Sequence, residues 1–429
     1  MEIFVLLATM FGCFVIGMPI AYSLALAAIA GGLWIGIPLE AVMLQISNGV
    51  SKVAMLTIPF FVLAGAIMAE GGMARRLVRF ADVLVGFTRV RGGLSVVNIV
   101  ATTFLSGISG SAVADTSAIG SVMIPEMEKN GYPRVFATNV TISASVQALL
   151  VPPSHNAVIY SLATGGTISI ISLFMAGVMP GLLLGAALIL LCLVIAYREG
   201  HPRGQTVAPR EAVRIVIDAF WGLITLAIIL GGILAGVFTA IEAGAVACLW
   251  AFFVTMFVYR DYRWRDLPIL VHRTMRTVAM VLTLIACASS VGYIMALTQM
   301  PAKITAFFLA ISSNKYVILM LINALLLLLG CVLDMAPSIL ICTPILLPVM
   351  LKLGVDPVHF GMIMLLNLGI GLCHPPVGSI LFVGCAVGEV TIEQVVRRIW
   401  PFYAVMFLVL MLVTYLPALS LWLPRLLGL

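Results

Sequence analysis

The stretch Gly110-Ser-Ala-Val-Ala-Asp-Thr-Ser-Ala-Ile-Gly-Ser-Val-Met-Ile-Pro125 places an acid, Asp115, and several small polar residues inside a strongly apolar sequence. A second stretch of the same character lies in the other half of the chain: Gly330-Cys-Val-Leu-Asp-Met-Ala-Pro-Ser-Ile-Leu-Ile-Cys-Thr-Pro344. At a shift of 219 positions Asp115 matches Asp334, and the prolines that end the two stretches also match. A polar centre that occurs twice predicts a chain built from two related halves.

A Pro-Pro pair follows each polar stretch. Val151-Pro-Pro-Ser154 in the first half corresponds to His374-Pro-Pro-Val377 in the second. Proline has no backbone N–H and interrupts a helix, so each pair predicts a broken helix. One such pair could be a simple kink, whereas two at corresponding places favour a shared structural role.

The composition indicates an integral membrane protein. Of 429 residues, 62% are hydrophobic and only 9% are charged, whereas a soluble domain carries roughly 25% charged residues. Long apolar runs without alternation predict helices rather than a barrel. The net charge of +6 comes from short loops, where it reflects topology and does not indicate a nucleic-acid partner. The eight cysteines lie in apolar runs without a CxxC pair, which is typical of small core residues.

The first half is expected to span residues 1–214. Within it, 1–92 supply scaffold helices and an arm helix, 93–165 the first hairpin and broken helix, and 166–214 a scaffold helix and a polar loop. The hairpin is expected to turn at Ser106-Gly-Ile-Ser-Gly-Ser111. The arm helix is expected to lie along the membrane surface, because its apolar spacing accompanies a basic segment. This segment contains Arg75, Arg76, Arg79, Arg89 and Arg91.

The second half, residues 215–429, repeats this plan. Residues 215–315 supply scaffold helices and an arm helix, 316–390 the second hairpin and broken helix, and 391–429 the last helix. The hairpin is expected to turn between Gly330 and Ser338, and the final run, from Ile399 to Leu423, is expected to form one helix.

The number of crossings predicts the orientation of the halves. Each half supplies five membrane crossings and one re-entrant hairpin that returns to its own side. Because five is an odd number, the second half must have the opposite orientation in the membrane. The basic loops at 72–92, 129–134, 198–214, 260–276 and 397–398 then all face the cytoplasm, as the positive-inside rule requires, and both termini are periplasmic. The sequence therefore predicts an all-α polytopic membrane protein of two inverted repeats, with broken helices that meet near the membrane midplane as in secondary transporters.

Helix breaks at such a centre can bind ions of both signs. Free carbonyls at helix C-termini hold cations, and free N–H groups at helix N-termini hold anions. No Lys or Arg is near either hairpin tip in the sequence. The glycines, the hydroxyl side chains and the two intramembrane acids together indicate sodium binding. No other metal site is expected. The candidate ion-binding residues are Ser106, Gly107, Ser109, Gly110, Asp115, Gly330, Asp334, Gly371 and Cys373.

A second group of residues is a candidate contact surface for an anionic substrate. The group comprises Ser111, Thr116, Pro152, Pro153, Ser154, His155, Pro337, Ser338, His374, Pro375 and Pro376. Each has a structural alternative: serines pack at helix crossings, and the histidines can be hydrogen-bonded core residues. Either Asp can also cap a hairpin arm, and Glu242 at a helix turn is interpreted as structural.

These residues lie in motifs that resemble the large membrane subunit of tripartite ATP-independent periplasmic (TRAP) transporters. The resemblance covers the whole chain, and its motifs are Ile58-Pro-Phe-Phe-Val-Leu-Ala-Gly65, Ser109-Gly-Ser-Ala-Val-Ala-Asp-Thr116, Leu173-Phe-Met-Ala-Gly177, Glu242-Ala-Gly-Ala245 and Pro375-Pro-Val-Gly378. The sequence departs from the family at His374, where a threonine is usual, at His155, and at Phe238-Thr-Ala-Ile-Glu-Ala243, where a proline usually follows the threonine.

The resemblance implies an elevator-type symporter in the bacterial inner membrane, driven by sodium and without another cofactor. It implies a small four-helix membrane subunit and a periplasmic substrate-binding protein as partners. It also implies an organic acid as substrate: a dicarboxylate, keto acid, sugar acid or sialic acid.

Other functions stay open at this point. A proton-coupled or stand-alone organic anion carrier or exchanger would need no binding protein. An intramembrane enzyme would use Asp115 and Asp334 as a carboxylate pair, although no nucleophile–base spacing accompanies them. A channel would need a continuous polar path or a charged ring, and the sequence supplies neither.

Overall fold

The computed structural model describes residues 2–86, 90–204, 208–312 and 314–429. These residues are predominantly helical; they contain no β-strand, only an isolated bridge between Arg91 and Arg203. The all-α prediction is confirmed. Arg89 of the first basic segment and residues 205–207 of the polar loop lie outside the described residues.

The described residues form a series of α-helices with short connections. They are α1 (Glu2–Val15), α2 (Ile20–Trp34), α3 (Leu39–Val50), α4 (Thr57–Glu70), α5 (Met73–Gly86), α6 (Gly93–Ser109), α7 (Ala112–Lys129), α8 (Arg134–Ser145), α9 (His155–Ala163), α10 (Ile170–Glu199), α11 (Pro209–Leu234), α12 (Ala240–Phe253), α13 (Leu267–Leu297), α14 (Met300–Ile311), α15 (Lys315–Val332), α16 (Met335–Lys352), α17 (Pro357–Gly371), α18 (Ser379–Gly388), α19 (Ile392–Tyr415) and α20 (Ala418–Leu426). A 3₁₀ turn precedes α4 at Val53–Leu56 and another follows α8 at Val146–Leu149, while a π-helix extends α12 over Val254–Tyr259.

Many of these helices are long and apolar enough to cross a membrane. Eight helical segments in the described residues meet that description: Val53–Glu70, Ile170–Glu199, Pro209–Leu234, Ala240–Tyr259, Leu267–Leu297, Lys315–Val332, Met335–Lys352 and Ile392–Tyr415. Shorter apolar helices such as α6 and α17 accompany them. This confirms a polytopic membrane protein.

Two helical hairpins are present where the sequence predicts them. Hairpin 1 is α6–α7 and hairpin 2 is α15–α16. Their turns are tighter than expected, because only Gly110 and Ser111 separate α6 from α7, and only Leu333 and Asp334 separate α15 from α16. Gly110 has φ +61°, a left-handed conformation that glycine adopts without a steric cost. Most of the stretches expected to form the tips are therefore helical.

The two Pro-Pro pairs do interrupt helices. Break 1, residues 150–154, separates the 3₁₀ turn after α8 from α9, and break 2, residues 372–378, separates α17 from α18. Both Pro–Pro bonds are cis. The prediction of two broken helices is confirmed.

Matching features of the two hairpins and breaks are 223 positions apart, whereas the two acids are 219 apart. α7 begins at Ala112 and α16 begins at Met335, 223 positions later. The prolines of break 1 and break 2 are the same distance apart. The shift of 219 is set by the similar residues of the polar stretches, whereas the helix starts and breaks fix the structural correspondence.

This register separates the two acids. Asp115 is the fourth residue of α7, and the fourth residue of α16 is Ser338. Asp334 is instead at the N-cap position of α16, the place that Ser111 takes in α7, but its side chain accepts no hydrogen bond there. The expectation that Asp115 and Asp334 are equivalent is wrong.

The final run forms two helices, and the expectation of one is wrong. α19 ends at Tyr415 and α20 begins at Ala418, with Pro417 between them. The residue before a proline is disfavoured in helical geometry, so the chain turns there.

The hairpins and broken helices of both halves pack into one central unit, which we define as α6–α9 and α15–α18. Within it α18 packs against α7 and α8, and α9 packs against α16. Arg134 at the start of α8 donates to Glu389 Oε2 over 2.7 Å and to the Gly388 carbonyl over 2.7 Å. Helices α4, α11, α12 and α13 lie outside this unit, with α4 packed on α12 and α13 packed on α2, α3 and α4.

Candidate ion and substrate site at the helix breaks

Asp115 is fully buried and held by hydroxyls. Ser106 donates to Asp115 Oδ2 over 2.6 Å, and Ser109 donates to Asp115 Oδ1. Ser106 and Ser109 share one face at the end of α6 because residues three apart on a helix are neighbours. Asp115 lies in the first turn of α7, where the helix dipole favours an anion. The carboxylate is thus satisfied without a basic residue.

The tip of hairpin 1 presses against break 1. A Cβ on Gly110 would lie 2.7 Å from the Pro153 carbonyl oxygen, and a Cβ on Gly107 would lie 3.3 Å from that of Pro152. Neither carbonyl accepts a hydrogen bond from the described residues. Two unused carbonyl oxygens therefore face the hairpin that carries Asp115.

His155 and Ser154 complete this side of the site. His155 is partly buried, and its backbone nitrogen lies 3.2 Å from where a Cβ on Gly110 would be. Ser154 is buried and donates to the Leu149 carbonyl over 3.0 Å. His155 therefore lies against the tip of hairpin 1, while Ser154 joins break 1 to the 3₁₀ turn before it.

Hairpin 2 contacts break 2 through its backbone. A Cβ on Gly371 would lie 2.6 Å from the Gly330 carbonyl carbon. Val377 donates its N–H to the Cys331 carbonyl over 3.2 Å. The two glycines predicted here do come together, in close backbone contact.

Asp334 has different surroundings from Asp115. Its side chain is exposed, and Ser379 Oγ lies 3.3 Å from its Oδ1. Buried Ser338 donates to the Asp334 backbone carbonyl over 2.9 Å. The two carboxylates have separate partners, so the geometry does not form a carboxylate pair.

The predicted carbonyl ligands at break 2 already accept hydrogen bonds. Tyr403 donates its hydroxyl to the Cys373 carbonyl over 2.5 Å, and the His374 N–H donates to the Gly371 carbonyl over 2.9 Å. A carbonyl oxygen has two lone pairs, so each retains one for a cation. These carbonyls are less available than those of break 1.

His374 is fixed in orientation. Its Nδ1 lies 2.7 Å from the Pro375 carbonyl, and its ring stacks on Tyr403 with centroids 5.2 Å apart. A carbonyl can only accept, so Nδ1 carries a hydrogen, and in the neutral ring Nε2 is the acceptor.

The remaining predicted substrate residues differ in exposure. Thr116 is buried; its hydroxyl donates to the Ala112 carbonyl over 2.8 Å, and its methyl group lies 3.5 Å from where a Cβ on Gly384 of α18 would be. Pro337 is buried, whereas Pro376 is exposed. Thr116 therefore packs hairpin 1 against the second broken helix.

The two broken helices cross next to their breaks. A Cβ on Gly369 would meet the side chain of Leu149 at 2.5 Å, and Cys373 Sγ lies 3.8 Å from the Ile142 carbonyl. The structure therefore brings the breaks together, while each hairpin tip contacts the break of its own half.

A cavity of about 400 Å³ lies between α4, α7 and α13. Its lining includes Ser117 and Ser121 of hairpin 1, and Arg273, whose Nη1 lies 3.5 Å from Glu70 Oε1. In the sequence Arg273 is part of the basic stretch 260–276, which indicates topology, and no basic residue is close to either hairpin tip. Only the tertiary structure, which places α13 and α7 around one cavity, reveals this guanidinium.

Residues 7–419 match the family model described as the DctM component of the tripartite ATP-independent periplasmic transporter. The chain belongs to this TRAP transporter family. It is 41% identical to YgiK of Salmonella typhimurium, over 97% of each chain. It is 36% identical to the C4-dicarboxylate TRAP transporter large permease protein DctM of Rhodobacter capsulatus, over 96% of each chain.

The fold is also found in a solved transporter structure. The YdaH transporter of Alcanivorax borkumensis matches with a TM-score of 0.67 over 90% of each chain, at 15% sequence identity. This likeness shows a shared fold.

Membership of the family decides several of the open questions. TRAP large permeases are transport subunits of the bacterial inner membrane and not enzymes. They work with a small membrane subunit and a periplasmic binding protein. The enzyme and the stand-alone carrier are therefore wrong as interpretations of this TRAP permease.

Proposed function

We propose that this TRAP permease is a sodium-coupled symporter subunit that imports a small organic acid delivered by the periplasmic binding protein. The observation that carries the proposal is the buried Asp115 carboxylate with its two hydroxyl partners, opposite the unused Pro152 and Pro153 carbonyls. The Rhodobacter relative bears the name of a C4-dicarboxylate permease, which supports a carboxylate substrate.

The oxygen atoms around Asp115 suit a sodium ion. A buried carboxylate without a counter-charge is costly, and no ion pair reaches Asp115 within the described residues. Unwound carbonyls and helix ends coordinate sodium in secondary transporters. A bound sodium would supply the missing positive charge.

The cavity between α4, α7 and α13 is the proposed route for the substrate. Its volume of about 400 Å³ lies within the size range of small-molecule sites, about 300–1,000 Å³. Arg273 and the serines of α7 offer a charge and hydrogen bonds to a carboxylate. A substrate there would lie beside the helix that carries Asp115.

Coupling is tested with the complete three-component transporter in proteoliposomes. We expect uptake to follow an imposed sodium gradient, because one ion entering down 100 mV supplies about 2.3 kcal/mol and a tenfold gradient adds about 1.4 kcal/mol. Uptake that follows a proton gradient with sodium absent would refute sodium coupling and favour proton coupling.

We also propose an elevator mechanism in which the central unit slides against α4 and α11–α13. The close approach of α4 to hairpin 1 supports this contact as the sliding surface, since a Cβ on Gly65 would lie 3.0 Å from the Ser109 carbonyl. Cross-linking Ala66→Cys to Ala118→Cys, two positions that line the same cavity, should stop transport.

The matched control is a cross-link between two outer helices. Phe60→Cys and Gly244→Cys join α4 to α12, where a Cβ on Gly244 would lie 3.1 Å from Phe60 Cβ. This cross-link should leave transport intact. Both tests need the partly exposed native cysteines replaced. Full transport with α4 bound to α7 would refute the sliding of this surface.

The proposal includes two halves in opposite orientation, with both termini periplasmic. Cysteines at Gly204 and at the exposed Arg263 should be labelled from the cytoplasm, and a cysteine added after Leu429 from the periplasm. The basic loops support this orientation. Cytoplasmic labelling of the added C-terminal cysteine would overturn the inverted arrangement.

A further inference from the structure

A second, larger cavity lies away from the helix breaks. It has a volume of about 1000 Å³ and is lined by residues of α5, of the start of α11 and of the π-helix that ends at Tyr259. Its lining includes four arginines, Arg76, Arg79, Arg210 and Arg214, and the aromatic rings of Trp221 and Tyr259. None of these residues belongs to the proposed ion or substrate site.

One of the four arginines has a structural role. Arg76 Nε lies 3.2 Å from Asp218 Oδ2, its Nη1 donates to Asp261, and its guanidinium lies 3.7 Å from the centroid of the Tyr259 ring. These contacts join α5 to α11 and to the end of the π-helix. Arg76 therefore forms one wall of the cavity.

The other three arginines give the cavity a surplus of positive charge. Arg79, Arg210 and Arg214 are exposed, and none has an ion-pair partner among the described residues. Glu211 is the remaining acid in the lining once Asp218 is assigned to Arg76. Guanidinium groups in this number suit a phosphate, which accepts paired hydrogen bonds from arginine.

The cavity opens beside an apolar surface. Ile217 lines it and is 60% exposed, and Val213 and Phe220 on the same helix are 60% and 55% exposed. α11 is one of the helices long and apolar enough to cross the membrane. If a ligand places its phosphate in this cavity, an apolar protein surface suited to acyl chains therefore lies immediately next to that phosphate.

A series of aromatic rings begins at the lining of this cavity. Trp221 contacts Trp250 with ring centroids 6.0 Å apart, and the series continues through Phe253 and Phe257 to Trp264. Tryptophans collect where the membrane meets water. Trp221 lines the cavity together with the arginines, an arrangement that suits a site at the level of lipid headgroups.

We propose that this cavity binds an anionic phospholipid. Arg79, Arg210 and Arg214 hold the phosphate-bearing headgroup, and the acyl chains lie along Val213, Ile217 and Phe220. Basic pockets between membrane helices are suited to such headgroups. The apolar exit favours a lipid over a soluble phosphate, which would use the charges alone.

The test measures thermal unfolding of the delipidated complex of this chain with its small membrane subunit. Phosphatidylglycerol should raise the unfolding midpoint by an amount on the order of 5 °C, whereas phosphatidylcholine should not. The Arg210→Gln/Arg214→Gln variant should lose the shift, and Arg210→Lys/Arg214→Lys should keep part of it. Arg263→Gln, an exposed arginine outside the cavity lining, is the control that should keep all of it.

Three results would overturn the proposal. They are an equal shift with phosphatidylcholine, an unchanged shift in the Arg210→Gln/Arg214→Gln variant, and the full shift with inorganic phosphate alone. The last result would assign the cavity to soluble anions. Circular dichroism of each variant establishes that it is folded.

Discussion

Ser106 Oγ lies 2.6 Å from Asp115 Oδ2, and this hydrogen bond joins the two helices of hairpin 1 next to their turn. Both residues are fully buried. The carboxylate is therefore fixed in place by a neutral donor. A cation that binds here would meet a preorganised set of oxygen atoms.

Removal of the Ser106 hydroxyl should weaken both the fold and the proposed ion site. Ser106→Ala deletes a hydrogen bond to a charged group, which contributes about 2 kcal/mol, and should raise the sodium concentration for half-maximal uptake. Ser95→Ala is the control, because buried Ser95 on the same helix donates to the Gly92 carbonyl over 2.7 Å, away from Asp115. An unchanged sodium requirement in Ser106→Ala would leave this serine a structural role only.

Neutralisation of the two acids should have unequal effects. Asp115→Asn removes the charge of a buried group, whereas Asp334→Asn changes an exposed one. Asp115→Asn should lower sodium affinity about tenfold or more, since the loss of one charged ligand costs about 1.5–3 kcal/mol, and Asp334→Asn should lower it less. The measurement is uptake against sodium concentration. An equal loss of sodium affinity in both variants would contradict the different roles inferred for buried Asp115 and exposed Asp334.

His374 should leave the coupling ion unchanged. Its ring is held between the Pro375 carbonyl and the face of Tyr403, where it shapes break 2. His374→Thr should therefore retain sodium-driven uptake, with altered substrate preference. Tyr403→Phe, which removes the hydroxyl bound to the Cys373 carbonyl, is the comparison for a structural change at the same break. Proton-driven uptake that turns sodium-driven only in His374→Thr would assign the coupling to this histidine.

Asp82 on α5 should make stability depend on pH. Burial, and then the carboxylate of Glu126, raise the pKa of Asp82 above its usual value. The charged form therefore costs stability at pH values above both the folded and unfolded pKa, and this cost disappears as the pH falls below them. Asp82→Asn should raise the unfolding temperature at about pH 7, with a smaller gain at about pH 4.

Local chemistry in the sequence determined the helix breaks and the membrane character. Pro152-Pro153 and Pro375-Pro376 interrupt helices because two successive residues lack the N–H that continues a helix, whereas single prolines such as Pro125 and Pro180 lie within helices. Asp115 was identifiable because a charge inside an apolar run is costly and needs partners. These properties depend on a residue and its immediate neighbours in the chain.

The tertiary structure alone decided which of these groups act together. The different burial of Asp115 and Asp334, the unused carbonyls of Pro152 and Pro153, and the position of Arg273 beside α7 all depend on how helices distant in sequence pack. In the sequence the Pro-Pro pairs are 223 positions apart and the two acids 219, and only the helix starts show that α7 and α16 follow the spacing of 223. The same residue types can recur at many places in a sequence. Whether a side chain forms a hydrogen bond, or a carbonyl is left without one, depends on which groups the folded backbone brings within a few ångströms.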